Sequence, residues 1–247
     1  MTSIDFKNIE WVWVDLDDTI WDFKGNSLLS LAEIYKIHNL SRFYPTMEQW
    51  RNRYLEVNHA LWAKYNTGEI SKEFLQSERF ARPLIDAGLA EQDAIDFAKI
   101  LHYDYLTLLG KCSALVPGAK NLLDAIHSKG LKTGILSNGF KEVQFDKLRS
   151  GGILNSIDCI VLSDEIDVNK PDIRIYEYAL KKAGTTADKS ILIGDNPDTD
   201  IKGAVNAHWR AVFFNPENIE AKISEDIPTV TSLDTITECI KTIIAVR

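Results

Sequence analysis

Several residues able to do acid, base or anion chemistry stand directly after short apolar runs. Asp15, Asp17 and Thr19 follow Trp11-Val12-Trp13-Val14. Ser137 and Asn138 follow Lys132-Thr133-Gly134-Ile135-Leu136, and Asp195, with Asp198 and Asp200 close behind, follows Ile191-Leu192-Ile193-Gly194. Lys170 lies in Val168-Asn169-Lys170-Pro171, just before a helical pattern. Two carboxylates two residues apart on extended chain share a face. Carboxylates forced together repel, so they call for a shared proton or a cation. With Asp195 as a third hard oxygen donor and water completing the shell, the set suits octahedral Mg²⁺, which also holds a phosphate oxygen. The Ser137 hydroxyl and the amides that open the next helix make a phosphate cradle. Lys170 adds fixed positive charge where a phosphoryl group gathers negative charge. Taken singly these residues mean little: a lone Asp at a strand end caps a helix or a turn. Their joint occurrence, in order and each at the end of an element, carries the argument.

The elements that must position these residues are legible as alternating runs. Apolar stretches at 11–14, 132–136, 157–162, 191–193 and 211–214 read as buried strands ending in polar groups. Helical patterns fill the gaps at 117–129, 141–150 and 172–183, each stopped by glycine, with a short one at 199–207. A last amphipathic stretch at 232–246 places Leu233, Ile236, Ile240 and Ile243 on one face. Strands alternating with helices predict an α/β fold, a Rossmann-like parallel sheet covered on both faces. Residues 26–110 break the alternation: only helical patterns occur there, marked by Trp50, Tyr54, Leu61, Trp62, Phe74, Phe80, Ile95 and Leu101. The expected organisation is a core made of 1–22 and 111–247, with an inserted α-helical cap at 23–110.

Composition limits the function classes. The chain has 247 residues, 45% hydrophobic and 26% charged, which suits a soluble globular protein. A net charge of -8 disfavours a nucleic-acid groove but not a small anionic substrate, because a bound cation reverses the local field. Cys112, Cys159 and Cys239 are far apart and form no CxxC pair, so neither a zinc site nor a disulfide framework is expected. No stretch has the pattern of a signal peptide or a membrane span, and a cytoplasmic protein is expected.

At these residues the chain resembles the haloacid dehalogenase (HAD) superfamily of phosphotransferases. Asp15-Leu16-Asp17-Asp18-Thr19 matches its D-x-D-x-T motif, Ser137 its second motif, Lys170 in Asn-Lys-Pro-Asp its third, and Gly194-Asp195 with Asp200 its fourth. The insert after the first motif resembles a C1-type helical cap. The resemblance implies that Asp15 attacks phosphorus to form an aspartyl-phosphate, while Asp17 protonates the leaving oxygen and then activates water. It further implies that Asp15, the Asp17 carbonyl and Asp195 hold Mg²⁺. Ser137, Asn138 and Lys170 would bind phosphate, and Thr19 and Asp200 would support the site. Asn196 stands where Ser is frequent in the family. A narrower resemblance, through Asp-Asp-Thr-Ile-Trp-Asp and cap residues between Leu61 and Phe80, is to the pyrimidine 5′-nucleotidase branch. Trp21, Trp62 and Tyr65 are candidates for stacking on a base, and Arg79 for meeting a substrate oxygen.

Other readings share parts of this pattern. A sugar-phosphate phosphatase or phosphomutase would keep the same core motifs. A carbon–halogen hydrolase would have no use for Asp17 or Mg²⁺, because halide leaves without a proton. A receiver domain is about half this length and lacks the D-x-D spacing. A non-catalytic binding relative would be expected to have lost one of the carboxylates. The expected partner is a small phosphorylated metabolite, not a nucleic-acid polymer or a membrane, and the expected assembly a monomer or homodimer.

Overall fold

The structure is a computed structural model that describes residues 4–243. Six strands run in chain order: β1 (Trp11–Val14), β2 (Lys132–Ser137), β3 (Cys159–Leu162), β4 (Ser190–Gly194), β5 (Arg210–Phe214) and β6 (Thr229–Val230). They form one parallel sheet in the order β3-β2-β1-β4-β5-β6. The parallel α/β sheet expected from the apolar runs is therefore present. β6 has only two residues, too few for any periodicity, and was not foreseen.

The chain forms two compact units, 1–23 with 113–247, and 24–112. In the first, α5 (Ala119–Ser128), α6 (Lys141–Ser150), α7 (Ile173–Ala183), α8 (Lys202–Asn206) and α9 (Leu233–Lys241) connect or flank the strands. The short helix expected at 199–207 is present: a π-helical turn over Pro197–Ile201 runs directly into α8. The end of the last helical pattern, including Val246, lies outside the described residues. In the second unit, α1 (Phe23–Ile37), α2 (Met47–Asn66), α3 (Lys72–Asp86) and α4 (Glu91–Leu109) are the four α-helices. Thr46 and Gln49 cap α2 reciprocally, and Ser71 caps α3. This unit has its own core, in which the Tyr54, Phe80 and Tyr105 rings meet with centroids 4.9–6.0 Å apart.

Alternation along the strands sends residues to both faces of the sheet. Trp13, Leu136, Val161, Leu192 and Phe213 fall on one face and pack with Ile175, Tyr176 and Ala179 of α7, and with Trp209. Val12, Val14, Ile135, Ile193 and Val212 fall on the other and are equally buried. Burial of each large apolar side chain contributes about 1.5–3 kcal/mol, so both layers tie strand register to core packing.

Register also explains one glycine. Gly134 sits directly opposite Trp13, and a Cβ there would overlap the Trp13 ring. Gly134→Ala is expected to destabilise the protein by about 1–3 kcal/mol, the cost of overpacking. A urea titration should show a lower midpoint at an unchanged m-value; an unaltered midpoint would show that the ring moves aside freely.

Candidate active site

β1 is flanked by β2 on one side and β4 on the other, and the chain winds outward from it in both directions. That arrangement opens a crevice at the carboxyl ends of the central strands. Register puts Val14 beside both Ile135 and Ile193, so Asp15, Ser137 and Asp195 emerge at one edge from three adjacent strands. The Asp15 amide still donates to the Ile193 carbonyl at 2.9 Å, which fixes its backbone against β4.

Lys170 lies at the centre of this edge and is almost wholly buried. Its Nζ donates to Asp15 Oδ1 at 2.6 Å, to Asp200 Oδ1 at 2.6 Å and to the Leu136 carbonyl at 2.8 Å. All three ammonium protons are thereby used. Asn138 holds the Lys170 backbone from both sides: its Oδ1 accepts from the Lys170 amide at 2.7 Å, and its Nδ2 donates to the Lys170 carbonyl at 3.0 Å. Asp200 accepts the Asn196 amide on its other oxygen at 3.0 Å. Asn196 itself caps the turn, accepting the Asp198 and Thr199 amides. Gly194 is required here, since a Cβ on it would overlap the Asp200 carboxylate. Thr19 is fully buried and donates to Asp195 Oδ1 at 2.9 Å, joining the β1 loop to the end of β4.

Asp15, Asp195 and Asp200 each offer a carboxylate oxygen within 4.8 Å of the others. Three carboxylates thus face one ammonium. Burial, outweighing the Lys170 charge and reinforced by Asp200, Asp195 and Asp17, raises the Asp15 pKa well above the ordinary carboxylate range. Burial and Asp200 push Asp195 up to about 7. Burial acts to lower the Lys170 pKa, but Asp15 and Asp200 outweigh it and hold the group protonated. Excess buried negative charge built from hard oxygen donors fits a divalent cation such as Mg²⁺. Asp200 already satisfies Lys170 and the Asn196 amide, so Asp15 and Asp195 are the carboxylates available to a metal.

Asp17 does not join this group. Extended chain ends at Val14 and bends at Leu16, so the shared face expected for Asp15 and Asp17 is lost. The Asp17 carboxylate turns toward α6, where Lys147 Nζ donates to its two oxygens at 2.6 and 2.9 Å and Gln144 Nε2 donates at 3.2 Å. Gln144 Nε2 also donates to Ser137 Oγ at 2.8 Å. Neither Gln144 nor Lys147 was anticipated. Two long polar side chains three residues apart on α6, inside a buried stripe with Val143 and Leu148, were the available signal. Trp21 is fully buried beneath Lys147, whose ammonium lies 4.9 Å from the ring centroid. This corrects its expected role: no ring face is exposed to a base. In the helical unit, Trp62 and Tyr65 are partly exposed and meet edge to face at 5.5 Å. Arg79 is buried against the Phe80 and Tyr105 rings, 2.9 Å from His102 Nδ1.

The charge imbalance has a measurable consequence without metal. Asp195 ionises at about 7 in the folded chain, against roughly 3.9 for an unfolded aspartate. Its stabilising contribution is complete below the unfolded value and is lost as pH rises through the folded one. In EDTA, the thermal midpoint is expected to fall between about pH 5 and pH 8, and Mg²⁺ should raise it more at the higher pH. An equal Mg²⁺ effect at both would contradict this electrostatic account.

Comparison with known proteins adds the family. The model of the haloacid dehalogenase-like hydrolases matches residues 9–208. The chain is 30% identical over 213 residues to the pyrimidine 5′-nucleotidase YjjG of Escherichia coli (strain K12), covering 85% of this chain and 88% of that protein. It is 28% identical over 233 residues to the glyceraldehyde 3-phosphate phosphatase of Methanothermobacter thermautotrophicus, covering 92% and 96%. A crystal structure of the HAD-hydrolase YfnB from Bacillus subtilis bound to magnesium matches with a TM-score of 0.82 at 23% identity, covering 94% of this chain and 98% of that one. With its D-x-D-x-T loop, its buried lysine and its Gly-Asp strand end, the chain belongs to the haloacid dehalogenase-like hydrolases.

Proposed function

We propose that the chain is a Mg²⁺-dependent phosphomonoester hydrolase working through an aspartyl-phosphate on Asp15, with pyrimidine nucleoside 5′-monophosphates as its substrates. The observation that carries the reading is the Lys170 ammonium bridging Asp15 and Asp200 beside the Asp195 carboxylate. The substrate class draws support from the nucleotidase of Escherichia coli at 30% identity.

Asp15, Asp195 and the Asp17 backbone carbonyl would hold the magnesium ion. Bound there, it supplies the positive charge that lets an anionic carboxylate approach an anionic phosphate. Asp15 attacks phosphorus; as its O–P bond forms, the bond to the leaving oxygen breaks and that oxygen takes a proton from Asp17. A water then attacks the aspartyl-phosphate and gives its proton to the Asp17 carboxylate, releasing phosphate and restoring Asp15. Lys170 keeps the Asp15 oxygen in place and offsets charge on the phosphoryl oxygens. Ser137 and the Asn138 amide bind those oxygens. Thr19, Asn196 and Asp200 fix Asp195 and Lys170. In the helical unit, the partly exposed Trp62 and Tyr65 rings are of the kind on which nucleobases stack.

A second reading, a phosphatase for small sugar phosphates, is favoured by the likeness to glyceraldehyde 3-phosphate phosphatase over 92% of the chain. A panel of phosphate esters assayed with Mg²⁺ separates the two. UMP and dTMP are expected to give kcat/KM at least about tenfold above sugar phosphates, a difference of about 1.4 kcal/mol; the reverse order would remove the nucleotide assignment. Asp15→Asn should lower kcat at least about 10³-fold while circular dichroism stays that of the wild type. Substantial residual turnover would refute Asp15 as nucleophile.

A further inference from the structure

Gln144 is fully buried on α6, yet its amide is spent on two polar side chains at the end of the sheet. Its Nε2 donates to Ser137 Oγ at 2.8 Å and to Asp17 Oδ2 at 3.2 Å, which uses both of its protons. While Asp17 is the carboxylate paired with Lys147 it only accepts, so in this state the amide cannot serve with its ends exchanged. Lys147, one turn further along the helix, grips the same carboxylate with an ammonium that is itself buried. A chain of fixed polarity results, from Lys147 through Asp17 and Gln144 to Ser137.

Its end point matters most. Ser137 Oγ also accepts the Gly139 amide at 3.1 Å. A hydroxyl has two acceptor lone pairs and one proton. With both lone pairs filled by Gln144 and Gly139, the Ser137 proton is left to be donated, which is what an anionic oxygen requires. Two further observations mark the arrangement as more than packing. A Cβ at position 139 would overlap the Gln144 amide, so the glycine after Ser137-Asn138 makes room for it. Gln144 Oε1 is buried without a hydrogen-bond partner, a cost that a purely structural core residue would shed.

We infer that Gln144 is a positioning residue that turns the Ser137 hydroxyl into an obligate donor to a substrate phosphoryl oxygen, with its own amide oriented by the Lys147–Asp17 ion pair. The inference rests on the phosphohydrolase reading.

Gln144→Met keeps the volume and removes the donor. Binding of inorganic phosphate to the Mg²⁺-loaded protein, measured by calorimetry and as competitive inhibition of p-nitrophenyl phosphate hydrolysis, should weaken about tenfold, the worth of one hydrogen bond to a charged group. In a Ser137→Ala background the same substitution should cost less than about twofold, because its effect passes through the hydroxyl. A residue that acts only by packing would weaken binding by the same factor in both backgrounds, and that result would overturn the inference. So would wild-type phosphate affinity in Gln144→Met. Should that variant fail to fold, Gln144→Asn, too short to reach both partners, carries the same cycle and the same criteria. A wild-type protein that neither hydrolyses p-nitrophenyl phosphate nor binds phosphate would bring down the phosphohydrolase reading together with the inference. Normal wild-type behaviour with additive variants would bring down the inference alone.

Discussion

One buried ammonium organises the carboxyl edge of the sheet, where the candidate site lies. Lys170 reaches from a loop to the end of β2, to the first residue beyond β1 and to the turn after β4, and spends every proton it has on them. Such a group is stable in the interior only with its counter-charges in place; without them the desolvation of a single cation amounts to several kcal/mol. Three carboxylates more than neutralise it. The surplus negative charge appears in the raised ionisation of Asp15 and Asp195, and hard oxygen donors in such excess are the kind of set a divalent cation fits.

Close approach is the second requirement, and glycine meets it at three points along two strands and the loop after one of them. Gly134 admits the Trp13 ring, Gly194 admits the Asp200 carboxylate, and Gly139 admits the Gln144 amide. The first serves the core and the other two serve the site. The reason is one of space at the backbone, since each position faces a side chain that a methyl group would displace.

Asp15 and Asp17 are neighbours in sequence but have separate surroundings. One lies in the cluster around Lys170, the other against α6 with Lys147 and Gln144. The nucleophile and proton carrier proposed for this site need different environments, and a bend at Leu16 gives Asp15 and Asp17 different ones. Likewise Thr19, in the same loop, ties that segment to Asp195 and so couples the β1 loop to the β4 end.

The alternation of apolar runs and helical patterns determined the parallel sheet, because burial on both faces leaves an unbroken hydrophobic signature in each strand. The order of Asp15, Ser137, Lys170 and Asp195 at strand ends and helix starts carries the expectation of a phosphate and a metal. Folding alone decided the rest. β6 is two residues long and lies below any periodicity. Trp21 looked available to a base, and became core because the chain turned it beneath Lys147. Gln144 and Lys147 read as ordinary polar residues on a helix, since nothing local reveals that they meet Asp17 from 127 and 130 residues away. Spacing along a chain reports which face of an element a residue occupies; only the packing of that element against others decides whether the face meets water or a carboxylate.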